Sequence, residues 1–348
     1  MRKVLTFLLL FGVTACLAVS GQGEVYSWVG SSKVGPGISH NNLVIYPIIA
    51  PRQSLPKAMT LDQALLASNI KVTELDEHGS VNTLRVSNSG GVPVFIMAGE
   101  ILDGAKQDRV LQQDLWLPAR SGSISVSAFC VEQGRWSYDS GSKDFQTTST
   151  IANVYVRAQA SSNKNQGQVW QAVQETQSKA GFEAPTSSLN DAYKDRKVQA
   201  NVDGYLEAFK SLPREHDEML GVVVQVGDKI VAVDSFGSRD LLVELWPKML
   251  KSYALEAVAC EQKTAEADQR QAQQFLRSAL KTKLAKNPNP GAGSLFELKS
   301  ETVSGSTLML REGVVHLDLF ERKRTMPRPN GPAQNYYNVE IEQNQQRD

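Results

Sequence analysis

The order of its patterns constrains this chain most: short β-branched runs come first, amphipathic helical stretches follow, and β-branched runs return at the end. Runs at 43–49, 70–75, 81–87, 92–98, 109–117 and 122–131 are bounded by Gly, Pro, Asn or Asp, the mark of strands and turns. A short helix is expected at 60–67, where Thr60 can cap Leu61, Ala64 and Leu65. Between 161 and 210, apolar residues at helical spacing predict two helices interrupted at 181–185. Residues 221–226 and 229–233, joined by Gly227-Asp228, read as a hairpin. Helices are expected at 239–259, with Pro247 kinking it or sitting in its first turn, and at 266–286. Strands follow at 295–298, 307–311 and 314–321.

This succession predicts an α+β fold with an antiparallel or mixed β-rich core and amphipathic helices inserted between strand groups, not a doubly wound sheet. The expected organisation is a single domain over 24–325, with a helical insertion at about 161–210 and a polar tail at 326–348. The Ser-, Thr- and Asn-rich stretch 140–165 reads as a loop or boundary. Composition supports a globule, with 41% hydrophobic and 21% charged residues. Lys plus Arg equals Asp plus Glu at 37 each, so no global attraction to nucleic acid or anionic lipid is expected. An anion site would have to be local.

Met1-Arg2-Lys3 ahead of the apolar run 4–13 has the charge and length of an export signal and is too short to span a membrane stably. Two exits stand side by side. Val13-Thr14-Ala15-Cys16 reads as a lipobox that would acylate Cys16, whereas Ala18-Val19-Ser20 reads as an ordinary cleavage site leaving a mature protein that begins near Gly21, within a signal region assigned to residues 1–23. The expected location is outside the cytoplasm, periplasmic, lipid-anchored or extracellular, with membrane contact only through a lipid. In an oxidising compartment Cys130 and Cys260 could pair, although no spacing requires it.

Two segments carry the candidate chemistry. Ala98 to Arg109 follows an apolar strand with Glu100, Asp103, Lys106, Gln107 and Arg109, and Cys130 to Trp136 follows another with Glu132, Gln133, Arg135 and Trp136. Cations at strand ends suit an anion, and Glu100 or Glu132 suits a general base. Cys130 would be a nucleophile if neighbouring cations lowered its pKa, but a buried strand cysteine is the commoner outcome. The bland alternative for the charges is a network that satisfies itself. His40, His78, His216 and His316 stand apart without ligand spacing, so no metal is expected. No phosphate loop, dinucleotide fingerprint or nucleophile elbow occurs, and no cofactor is expected.

Together the segments resemble the signature of the ARG and rhodanese-phosphatase-superfamily-associated protein domain. They match it at Gly99, Glu100, Gly104, Lys106, Gln107 and Arg109, then at Cys130, Glu132, Gln133, Gly134, Arg135 and Trp136, with Ala105 replacing a glycine. The resemblance extends over about residues 40–260. It implies that the segments lie side by side, and its association with ADP-ribosylglycohydrolases and phosphatase-like proteins implies a nucleotide- or ADP-ribose-related ligand. Two functions follow: an extracytoplasmic cleft that binds, and in one version hydrolyses, an anionic small molecule, or a structural or protein-interaction envelope lipoprotein without catalysis.

Overall fold

The computed structural model describes residues 21–75, 82–134, 144–182 and 186–322. Helix α1 (residues 21–31) leads into β1 (Lys33–Val34), β2 (Ile38–His40), β3 (Leu43–Ile49), β4 (Met59–Thr60), α2 (Leu61–Leu66), β5 (Ile70–Glu74) and β6 (Thr83–Asn88). The two motif segments fall among β7 (Val94–Ile96), β8 (Glu100–Gly104), β9 (Arg109–Leu111), β10 (Leu115–Leu117) and β11 (Gly122–Cys130), after which comes β12 (Phe145–Ile151). A helical block follows: α3 (Val154–Ala158), running into a π-helical turn (Gln159–Asn163), α4 (Gln166–Ala180), α5 (Leu189–Lys194), α6 (Arg196–Phe209) and α7 (Leu212–Glu215). The hairpin β13 (Met219–Val226) and β14 (Lys229–Phe236) precedes α8 (Arg239–Val258), α9 (Gln269–Arg277), β15 (Lys283–Asn287), β16 (Ser294–Lys299), β17 (Val303–Leu310) and β18 (Gly313–Glu321).

The strands form an antiparallel sheet in the order β1-β3-β13-β14-β18-β17-β16-β15 with β2 on β3, a second antiparallel sheet ordered β12-β8-β9-β11-β6-β5, and a small mixed sheet β10-β7-β4. Every residue of β13 is buried because helices and strands cover both faces of the large sheet. On one face Val223, Val44 and Leu317 pack against Val25, Trp28, Ala272 and Leu276 of α1 and α9. On the other, Val222, Val224, Phe236 and Phe320 join Trp246 and Tyr253 of α8, and Phe95, Ile101 and Val110 from the smaller sheets. The motif strands therefore lie against the main core. The fold is α+β, as the order of patterns implies.

Several local expectations are corrected. The run 109–117 is two strands, because Gln112 to Asp114 leave one sheet for another and Asp114 turns inward with no exposure. The described part of 140–165 is not simply a loop: Phe145, Gln146, Thr147 and Ile151 pair with β8, with an irregularity between Thr147 and Ile151, and α3 follows. The described residues between 161 and 210 form more than the two helices expected: α4, α5 and α6. The helix expected over 266–286 stops at Arg277, and Lys283–Asn287 extends as an edge strand on β16, where pairing overrides helical composition. Pro247 lies inside α8, beyond its first turn. Cys130 and Cys260 are free thiols. The signal run, Cys16, Arg135, Trp136 and the tail from 326 lie outside the described residues.

Candidate functional site

The first motif segment turns sharply before it becomes β8. Glu100 is fully buried; one carboxylate oxygen accepts from the Met97 amide at 3.1 Å and the other meets the Lys248 ammonium. Lys248 also reaches Asp62 of α2 at 2.6 Å. Burial pushes the Glu100 carboxyl up, and Lys248 only partly opposes it. Burial works against the charge of Lys248, but Glu100 and Asp62 overcome it and raise its pKa.

The second motif segment lies beside the first. Cys130 is the ladder partner of Arg109, and Val131 donates to the Asp108 carbonyl at 3.0 Å. Gln107 donates to the Glu132 carbonyl at 3.0 Å, and the Glu132 carboxylate accepts from the Asp108 amide at 3.1 Å. Arg109 has no exposure; it donates to the Gln107 carbonyl at 3.1 Å and lies 3.6 Å from Glu74, which also accepts from the Lys106 amide. Ser188 donates to Asp108 at 2.9 Å, and Gln166 pairs with both backbone polar groups of Cys130. Burial pushes the Cys130 thiol up, against hydrogen bonding by Glu132 and the charge of Arg109. A protonated, fully buried thiol is a poor nucleophile.

Lys106 is buried with this group, whereas Asp103 is half-exposed near Lys194, and Gln133 is exposed and accepts from Gln174. Glu100 and Glu132 are not brought together. Leu102 faces Arg109 and Arg109 faces Cys130, so β8 and β11 run the same way. Glu100 lies two residues before one reference point and Glu132 two beyond the other, which at normal strand spacings puts their Cα atoms roughly 16 Å apart. The two glutamates serve separate networks.

A third network was not selected from sequence. Arg157 binds Asp234 through two nitrogens, at 3.0 and 2.5 Å, and the Tyr253 hydroxyl donates to the same carboxylate at 2.5 Å. His316 lies between Asp114, 2.7 Å from Nδ1, and Asp234, 3.3 Å from Nε2, with its ring stacked on Phe236. Asp114 also accepts from the Ala98 amide at 2.8 Å, and a Cβ at Gly99 would come within 2.6 Å of Arg157. The motif turn thus separates the Lys248 network from the Arg157 network.

Burial opposes the imidazolium, but Asp114 and then Asp234 push His316 up to about 10. Burial likewise opposes the Asp234 carboxylate, but Arg157 and His316 hold it well below the usual range. The sequence signal for this network was the polar residue inside each apolar run: Asp234 in β14, and His316 and Asp318 in β18.

Open clefts occur elsewhere. One of about 390 Å³ is lined by Tyr155, Glu175, Lys179, Asp228, Glu256 and Cys260, and a broader one of about 1030 Å³ lies along residues 262–274; no motif side chain lines either. Among the described residues, no group of His, Cys, Asp and Glu is arranged to hold a metal ion. No curated protein and no solved structure matches the chain. A family model does, over residues 31–320, and by that match the chain belongs to the ARG and Rhodanese-Phosphatase-superfamily-associated Protein domain family.

Proposed function

We propose that this protein is a non-catalytic structural or interaction domain of the cell envelope, in which the family signature holds the fold instead of lining a reaction site. One observation carries the reading: Glu100, Gln107, Arg109, Cys130 and Glu132 are all buried, and each is bonded to another protein group. A general base needs reach to a substrate proton. Here the glutamates reach Lys248 and backbone amides. The charged, apolar N-terminus supports export, with Cys16 as the lipid attachment point if the lipobox is used.

The second reading is a cleft for an anionic small molecule, nucleotide- or ADP-ribose-related. It is favoured by the exposure of Gln133 and Gly134 within the second motif segment.

Arg109→Ala and Glu100→Gln variants of the mature protein separate the readings by urea unfolding and by titration with phosphate and ADP-ribose. The structural reading expects a loss of about 3–5 kcal/mol for Arg109→Ala, because a buried partner is left uncompensated, and no binding by the wild type. Variants that keep their stability but lose a measurable wild-type affinity would overturn it. Fractionation should recover the protein from the envelope; retention in the cytoplasm would remove the export half.

A further inference from the structure

The Arg157 network contains more carboxylates than cations. Asp114, Asp234 and Asp318 are buried together with Arg157 and His316, and none of the five side chains is more than 2% exposed. Asp234 and Asp318 are direct cross-strand partners on β14 and β18, so their side chains leave the sheet on the same face. Asp234 accepts from Arg157 and Tyr253 and lies 3.3 Å from His316 Nε2, while Asp114 meets His316 Nδ1 and accepts from the Ala98 amide.

Among the three carboxylates Asp318 is the poorly served one. Its Oδ1 accepts from the Ser306 amide and hydroxyl on β17, but its Oδ2 has no hydrogen-bond partner among the described residues. Arg157 Nε and His316 Nε2 likewise have no hydrogen-bond partner among the described residues. An unscreened carboxylate here would place a third negative charge against two positive ones in a low-dielectric interior, whereas a neutral carboxyl leaves the cluster balanced.

We infer that Asp318 is a proton-binding site: the folded protein carries a carboxylic acid there, and loss of that proton weakens the joint at which the β9–β10 turn meets β14 and β18. Asp234 of β14 is the direct cross-strand neighbour of Asp318, the charges of Asp114 from the β9–β10 turn, Arg157 from α3 and His316 from its own strand also act on it, and Tyr253 of α8 bonds to Asp234. On the β17 side Ser306 is neutral. Beyond it Glu297 of β16 is paired with Lys164. Burial acts first and the charge of Asp114 second to push Asp318 up to about 7, which agrees with the charge count.

The joint connects separate sheets. Asp114 lies between β9 of the β12-to-β5 sheet and β10 of the small sheet, while His316 and Asp318 belong to the large one. Ionised Asp318 adds repulsion to both of the other aspartates at this contact.

Carboxyl ¹³C NMR of the folded wild type, labelled at aspartate, reads the site without a substitution. One aspartate resonance should titrate with a midpoint near 7 and be missing from Asp318→Asn. If every aspartate in the folded wild type titrates below about pH 5, near the ordinary range, the proposal is overturned. Infrared difference spectra provide a second readout: the C=O stretch of a protonated carboxyl should disappear as pH rises through that midpoint. Where Asp318→Asn folds, its melting temperature should fall less between mildly acid and mildly alkaline pH than that of the wild type. Equal falls in the two proteins would overturn the coupling of the proton to the joint.

Discussion

Gly99 shows how one residue of a short motif can act through space on another far along the chain. Its φ is +92°, in the region that disfavours side chains, and an added Cβ would approach Arg157 Cγ within 2.6 Å. Gly99→Ala should therefore cost about 1–3 kcal/mol from backbone strain, with a further cost from displacing the guanidinium that holds Asp234. Urea unfolding of Gly99→Ala checks this, with Gly23→Ala as control, because nothing lies within 4 Å of a Cβ at Gly23 in α1. Equal stability in the two variants would show that the Arg157 contact gives way freely. The motif residues were legible in the sequence because they cluster in two short segments. Their partners were not: Glu100 meets Lys248 across 148 positions and His316 meets Asp114 across 202, and no local pattern encodes such pairs.

At the level of elements, two β-branched runs joined by Gly227-Asp228 located the β13–β14 hairpin, and helical spacing located the long helix α8. Short elements were harder to place because tertiary pairing decided them, as with β8, β12 and β15. Helix α2 is an exception that local chemistry explains. Thr60 accepts from the Gln63 amide while the Gln63 side chain accepts from the Thr60 amide at 3.0 Å, a reciprocal cap. Six residues of helix would be marginal without that cap and the packing of Leu61 and Ala64. The helix also carries Asp62, which completes the Lys248 network. Thr60→Ala should cost about 0.5–2 kcal/mol. Hydrogen exchange should show the α2 amides opening more readily than those of α8; unchanged protection in α2 would mean that packing alone secures it.

Across the whole molecule, the buried ionisable groups bias stability toward mildly acid pH. His316 is raised from 6.5 to about 10, so its contribution is complete below about pH 6.5 and is lost as pH rises toward 10. Asp318, raised from 3.8 to about 7, contributes fully only below its unfolded value and loses that contribution as pH climbs through 7. Asp234 acts in the opposite sense: its lowered pKa supplies stability above 3.8 that is lost as pH falls further. The three together place the maximum between the acid limit set by Asp234 and the onset of the Asp318 and His316 losses. Each proton released on unfolding gives a slope of up to about 1.4 kcal/mol per pH unit. Unfolding free energy should therefore decline from about pH 5 to neutrality, chiefly through Asp318, and decline again toward about pH 9 through His316. Urea titrations of the intact mature chain at these three pH values measure it. A free energy that increases from mildly acid to neutral pH would mean that ionised carboxylates, and not a buried acid beside an imidazolium, set the balance of this core.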